Sequence, residues 1–316
     1  MLVSIIVCTR NRARYLSLCL DAVATSMRAV PESANCEIVL VDNGSTDDTQ
    51  NVVTTWANAH KDIDLRIVRE DNKGLSNARN AGLSASKGDL IIMTDDDCCM
   101  AQNYIVKAFE YDAKDVAPII RGGRIELGDQ NDLPLTIKTS DQVEHWSKGN
   151  RSAKSSPLCG AISGANIVIR RSTANIIGKF DPRLGAGARI AGSDDTDYLC
   201  RAYIKGIRIE YVPDLIVSHF HGRRTKDQGR KLLRGYNIGA GAIYIKHIFN
   251  DFDLFRPFMW NIKNAMNEIR QSKNLYLPEY DLSYKNVLVL NLYGMCLYLF
   301  YSIGRSVVYT RIHGIK

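Results

Sequence analysis

The chain has 316 residues, 45% apolar and 24% charged, with 41 basic against 34 acidic side chains for a net charge of +7. Those proportions fit a folded protein with one large domain or two smaller ones and exclude a disordered chain. The basic excess suits phosphorylated ligands or an anionic membrane face, whereas nucleic acid has no support beyond charge, because the sequence holds no zinc-finger spacing, RNP-like aromatic motif or long basic run.

Strand-like sequence begins at Leu2 with no basic region before it, so no secretory signal is expected. Residues 3–8 read as a buried strand, Thr9, Arg10, Asn11 and Arg12 as a polar turn, and 15–27 as a helix. The pattern repeats with a strand at 37–41, a turn at Asp42, Asn43, Gly44 and Ser45, and a helix at 46–59 opened by an acidic capping box of Ser45 and Asp48. A third strand, 65–69, leads through Asn72, Lys73 and Gly74 to a helix at 75–86. Strands alternating with helices predict an α/β architecture with a mainly parallel, Rossmann-like doubly wound sheet over the first hundred residues.

The fourth strand, Ile91 to Thr94, ends in Asp95, Asp96 and Asp97. Open α/β sheets bind ligands beyond their strand ends, and three adjacent carboxylates need solvent, a cation or a basic ligand to offset their repulsion. In an extended segment Asp95 and Asp97 face one way and Asp96 the other, so the pair offers two hard oxygen donors to magnesium or manganese. A solvated acidic turn is the alternative. Cys98 and Cys99 follow but are too soft for such a cation, and their expected role is packing. The eight cysteines, at 8, 19, 36, 98, 99, 159, 200 and 296, have no CxxC spacing, as expected of a reducing cytosolic compartment.

Beyond a helix at 101–114 and a strand at 119–127, residues 128–157 are polar and poorly periodic, which predicts a long loop and a candidate lid. Gly164, Ala165 and Asn166 introduce a strand at 167–170. A helix is expected at 194–205 and strands at 207–212 and 215–217, ending in Ser218, His219, Phe220, His221 and Gly222. From residue 228 the chain is helical and basic, with Arg230, Lys231 and Arg234. Residues 286–304 are uncharged between Lys285 and Arg305, which leaves three readings: a membrane span, an interfacial helix, or ordinary packing.

Together these residues resemble the family 2 glycosyltransferases of GT-A fold over roughly the first two thirds of the chain. The resemblance rests on Cys8-Thr9-Arg10-Asn11-Arg12, Val41-Asp42-Asn43-Gly44-Ser45, Ala78-Arg79-Asn80, the acidic triplet resembling a DxD motif, Gly164-Ala165-Asn166, and Asp194-Asp195-Thr196-Asp197. It implies that Thr9, Asn11, Arg12 and Asp42 hold the nucleotide, that Arg79 pairs with a phosphate or braces the acids, and that Asp96 contacts the donor. It implies that Asp95 and Asp97, with His219 or alternatively His221, bind Mn2+ or Mg2+. Asp195 is the implied general base beside Asp194, which is one methylene shorter than the family's usual Glu; both acids also suit a helix N-terminus. The Gln-x-x-Arg-Trp motif of processive synthases is absent, which favours single addition.

The resemblance therefore implies an inverting transfer of one sugar from a nucleotide-diphosphate donor, UDP foremost, to a glycan or lipid-linked hydroxyl, at the inner face of a membrane whose anionic surface is a candidate partner. A GT-A domain at 1–225, with a nucleotide-binding half at 1–100 and an acceptor half at 101–225, would precede a helical region at 226–316. The competing readings are a sugar-1-phosphate nucleotidyltransferase, whose Gly-rich phosphate loop is missing from the first turn, and a non-catalytic nucleotide-sugar-binding scaffold.

Overall fold

Strand β1 (Leu2–Thr9) is apolar on both sides because both faces of the sheet are covered. Val3, Ile5 and Val7 join Leu16, Leu20, Val53 and Ile105 in one core, and Ile6 and Cys8 join Ala78, Ile177 and Tyr198 in the other. The computed structural model describes residues 1–31, 35–148, 150–151 and 158–313. In order, the first half runs β1, α1 (Ala13–Arg28), β2 (Asn35–Asp42), α2 (Thr49–Ala59), β3 (Leu65–Arg69), α3 (Leu75–Ala85), β4 (Leu90–Asp95), β5 (Cys98–Met100) and α4 (Tyr104–Asp112). The chain continues with β6 (Ile119–Leu127), β7 (Glu144–Ser147), β8 (Asn150–Arg151), β9 (Asn166–Arg170), α5 (Arg171–Ile177), α6 (Asp194–Ile204) and β10 (Arg208–His219). Three long helices follow: α7 (Lys226–His247), α8 (Arg256–Gln271) and α9 (Tyr284–His313).

All these strands form one sheet, ordered β3-β2-β1-β4-β9-β6-β10-β7-β8, with β5 on β10. Its first four strands are parallel, and the register sets Thr9 opposite Asp42 and Cys8 opposite Asp95, so their carboxyl ends share one edge. The second half is mixed, because β9 runs antiparallel to both β4 and β6. The parallel half is the expected Rossmann-like α/β arrangement.

Two local expectations change, and one open reading narrows. The second helix starts at Thr49, and Ser45 does not cap it: the Ser45 hydroxyl accepts the Asn11 N–H, and Asp47 takes that of Thr49. The polar segment from 128 onward is not all loop, because Trp146 is fully buried on β7, which pairs with β10; residues 152–157 lie outside the described residues. Near the carboxyl terminus, among the described residues, no helix is long and apolar enough to cross a membrane. Helix α9 instead crosses α7 at backbone contact. A Cβ on Gly294 would lie 1.9 Å from the Ile238 carbonyl oxygen, and one on Gly241 2.0 Å from that of Asn291. The Asn291 side chain, wholly buried, donates to the Asn237 carbonyl and accepts from Asn261, which accounts for its place in an apolar run. The side chains of Arg305 and Arg311 lie outside the described residues.

Candidate active site

A cleft of about 700 Å³ opens where β1 and β4 end. Thr9, Arg12, Arg79, Asp95, Asp96, Asp97, Asp194, Asp195 and His219 all line it, although they come from segments up to 210 residues apart. Its remaining wall was not foreseen: helix α7, assigned by sequence to a separate carboxyl-terminal region, contributes Lys231, Gly235 and Tyr236, and Arg10 and Arg223 add two more cations.

Strand β4 stops at Asp95, and Asp96 and Asp97 form a turn into β5, so the strict alternation of an extended strand does not apply and all three acids meet the cleft. Asp97 lies 3.3 Å from both His219 Nε2 and Arg12 Nη2. Burial opposes its charge, but His219 and then Arg12 outweigh that and hold its carboxyl below the usual range. His219 is shifted upward despite burial because it faces Asp97, and its Nδ1 lies 3.1 Å from the Thr136 hydroxyl. Asp96 has weaker compensation, with Arg12 Nε at 3.9 Å, and burial followed by the Asp97 charge pushes it up to about 7. The Thr9 side chain, buried in the same wall, opposes that rise ahead of Arg12.

These groups fit a divalent cation. Ligand atoms of Asp97, Cys98 and His219 lie within 4.8 Å of one another. Burial holds the Cys98 thiol protonated, so the useful donors are the carboxylate and the imidazole. Asp95 is adjacent, with Oδ1 bound to Arg79 at 2.9 Å. His221 is turned away: its Nε2 meets the Leu133 carbonyl at 3.0 Å and its Nδ1 accepts the Arg223 N–H, and it does not line the cleft. Of the two histidines, only His219 lines the cleft.

Arg79 braces two acids at the cleft wall. Its guanidinium is buried, with Nη1 on Asp194 at 2.5 Å and Nη2 on Asp95 at 2.9 Å, over the Phe180 ring. Gly164 lies directly against it, where a Cβ would approach Nη2 to 2.5 Å. Thus the glycine of Gly164-Ala165-Asn166 is there so that Arg79 can span the two acids. Burial raises the Asp194 pKa and the Arg79 charge pulls it back.

Asp194 and Asp195 diverge as successive helical residues must. Asp194 is buried beneath Arg79, while Asp195 is partly exposed in the cleft. Asp195 Oδ2 accepts the Gly164 N–H at 3.0 Å, and Oδ1 accepts the Thr196 N–H at 2.7 Å and the Thr196 hydroxyl at 3.4 Å, which fixes the carboxylate orientation and leaves Oδ2 with a lone pair to spare. Asp197 points into the core, where it accepts from His247, Lys246 and Arg201.

Two expected nucleotide contacts have structural duties. Asn11, at φ 54°, accepts the Thr46 N–H through Oδ1 and so joins the first two loops. Asp42 Oδ1 accepts the Ser45 N–H in its own turn, beside Thr9. Neither lines the cleft; Asn43 does, and its amide ties Glu70, Asn72 and Gly74 together.

The sequence profile described as Glycosyl transferase family 2 matches residues 4–175, more than half of the chain, and the protein belongs to that family. It is a glycosyltransferase. Across 243 residues it is 23% identical to the glycosyltransferase AglE of Haloferax volcanii, covering 77% of this chain and 73% of AglE. It spans about two fifths of the length of two further curated relatives. S. aureus TarS 1-349 in complex with UDP is similar in structure at a TM-score of 0.55 and 17% identity, over 89% of this chain and 80% of that one. The mannosyltransferase PcManGT from Pyrobaculum calidifontis, in complex with GDP-Man and Mn2+, is similar at a TM-score of 0.54 and 18% identity, over 99% and 76% respectively. At these identities the likeness is one of fold.

Proposed function

We propose that the protein is an inverting glycosyltransferase that moves one sugar from a nucleotide diphosphate, with UDP as the favoured carrier, to a hydroxyl of a glycan or lipid-linked acceptor. The observation that carries this reading is the division of labour at the start of α6: Asp194 is locked under Arg79, and Asp195 faces the cleft that also holds Asp95, Asp96, Asp97 and His219. In a single displacement the acceptor oxygen bonds to the anomeric carbon as the carbon–oxygen bond to the diphosphate breaks, and the acceptor proton passes to the Asp195 carboxylate. Gly164 and Thr196 hold that carboxylate in place.

Thr9 at the end of β1 serves the nucleoside, with Asn11 and Asp42 fixing the loops around it, and Arg12 and Asp96 flank the donor. Asp97 and His219, beside Asp95, would hold Mn2+ or Mg2+, which supplies positive charge to the departing diphosphate. The UDP of the TarS structure and the Mn2+ of PcManGT support this reading of the donor side. Free thiols at all eight cysteines accord with a reducing cytoplasmic setting at a membrane's inner face. Family membership weighs against a nucleotidyltransferase, and turnover separates an enzyme from a scaffold. The test is a panel of UDP-sugars with Mn2+ and methanol as acceptor, the anomeric configuration of the glycoside being read at once by NMR. Inversion is expected; retention would overturn the single displacement, and no turnover across a panel whose members bind would favour the scaffold.

A further inference from the structure

We infer that the outward faces of α8 and α9 form one surface that docks on an anionic lipid bilayer without crossing it. The two helices run antiparallel: Asn261 meets Asn291 at 2.9 Å, and Glu268 accepts the Lys285 N–H at 3.1 Å, so later residues of one lie beside earlier residues of the other. Their inner faces bury Phe258, Ala265, Val287, Leu290 and Asn291. Outward, α8 presents Met259, Trp260, Met266 and Ile269, with Trp260 60% exposed, and α9 presents Val289, Leu292, Leu299 and Phe300, with Phe300 71% exposed. Eight large apolar side chains are thus exposed on two adjoining helices, the kind of surface that marks an interaction site.

Charge decides the occupant. Lys263, Arg270, Lys273 and Lys285 are exposed on or beside this face, and none has a salt-bridge partner among the described residues. The acid of α8, Glu268, is 1% exposed and turned inward to the N–H groups of Leu275 and Lys285, and α9 contains no acid. Cations without salt bridges, Lys263 lying 5.9 Å over the Trp260 ring, interleaved with apolar side chains are the two signals that together hold a helix at a negatively charged membrane interface. A second copy would set like charges against each other across a two-fold interface. With no helix among the described residues able to span, the chain lies on the surface. This surface stands apart from the transfer chemistry, so it holds or fails independently of the proposed reaction.

The experiment sediments the full chain with phosphatidylglycerol-rich vesicles and with phosphatidylcholine vesicles, while following tryptophan emission. Trp56 and Trp146 are buried, so a blue shift on vesicle addition reports Trp260. Binding to the anionic vesicles alone is expected, weakened by salt, reduced about fivefold for each of Lys263→Gln and Lys285→Gln, and lost in Trp260→Glu/Phe300→Glu. Unchanged thermal unfolding of the variants shows that they fold. The proposal is overturned by absence of binding, by equal binding to both vesicles, by unimpaired binding of the variants, or by a concentration-dependent dimer that the same substitutions dissociate.

Discussion

Replacing Arg79 by Met separates the role the structure gives it from a role in phosphate binding. The Arg79 side chain is 4% exposed and carries the only cations in contact with Asp194, itself 7% exposed, among the described residues. Removing one partner of such a buried pair costs about 3–5 kcal/mol, since the abandoned carboxylate stays desolvated; that is a large part of the roughly 5–15 kcal/mol available to a folded domain. The sign of the pH dependence follows. Burial already raises Asp194 above its ordinary value and Arg79 is what opposes it, so in the variant Asp194 rises further. The unfolded value is common to both chains, so the gap to wild type that this titration produces lies above the wild-type folded value of about 6: it is present at about pH 8 and closes by about pH 5. Urea unfolding at both pH values measures it, and Asp194→Asn placed in the Arg79→Met background recovers much of the loss. A gap below about 1 kcal/mol at neutral pH, or one equal at both pH values, would refute the reasoning.

Calorimetry of UDP with Mn2+ and with chelator should show binding about tenfold or more tighter with metal, a difference that Asp97→Asn and His219→Ala remove; equal affinities throughout would refute the metal assignment. Asp197 is held down to about 2 against burial by His247, Lys246 and Arg201, so it contributes about 2 kcal/mol that is present above about pH 4 and lost as pH falls through about 2. Asp197→Asn should therefore weaken the protein at neutral pH and progressively less in acid, measured by urea unfolding; a pH-independent effect contradicts this. Gly294→Ala pushes a methyl onto the Ile238 carbonyl and should cost at least about 1–3 kcal/mol, whereas wild-type stability would mean that α9 is not seated on α7.

Much of the nucleotide-binding half was legible because its signals are local. Buried parallel strands are continuous apolar runs, and the acids at Asp42 and Asp95 announce strand ends that the sheet register then aligns. What remained hidden depends on distant packing. The partner of Arg79 lies 115 residues away, and nothing in a helix at 75–85 tells which carboxylates its buried face will meet. His219 and His221 share a side only while a strand continues; β10 ends at His219, and the turn that follows sends His221 to Leu133. Trp146 was masked by polar neighbours that give no alternating pattern, and the contribution of Lys231 and Tyr236 requires α7 to fold back over the cleft. Asn291 lies within the uncharged run 286–304, and what accommodates it, a buried amide bridge to Asn237 and Asn261, needed the tertiary crossing.

The most direct measurement is turnover of Asp195→Asn against Asp194→Asn at saturating UDP-sugar, with donor affinity determined in parallel. Asp195→Asn keeps the size of the side chain and leaves an amide oxygen able to accept from Gly164, but it removes the group that takes the acceptor proton. The rate should fall by about 10²- to 10⁴-fold with donor affinity nearly unchanged, while Asp194→Asn acts mainly on stability through Arg79. Near-wild-type turnover in Asp195→Asn, with the large loss in Asp194→Asn, would contradict the assignment of the base.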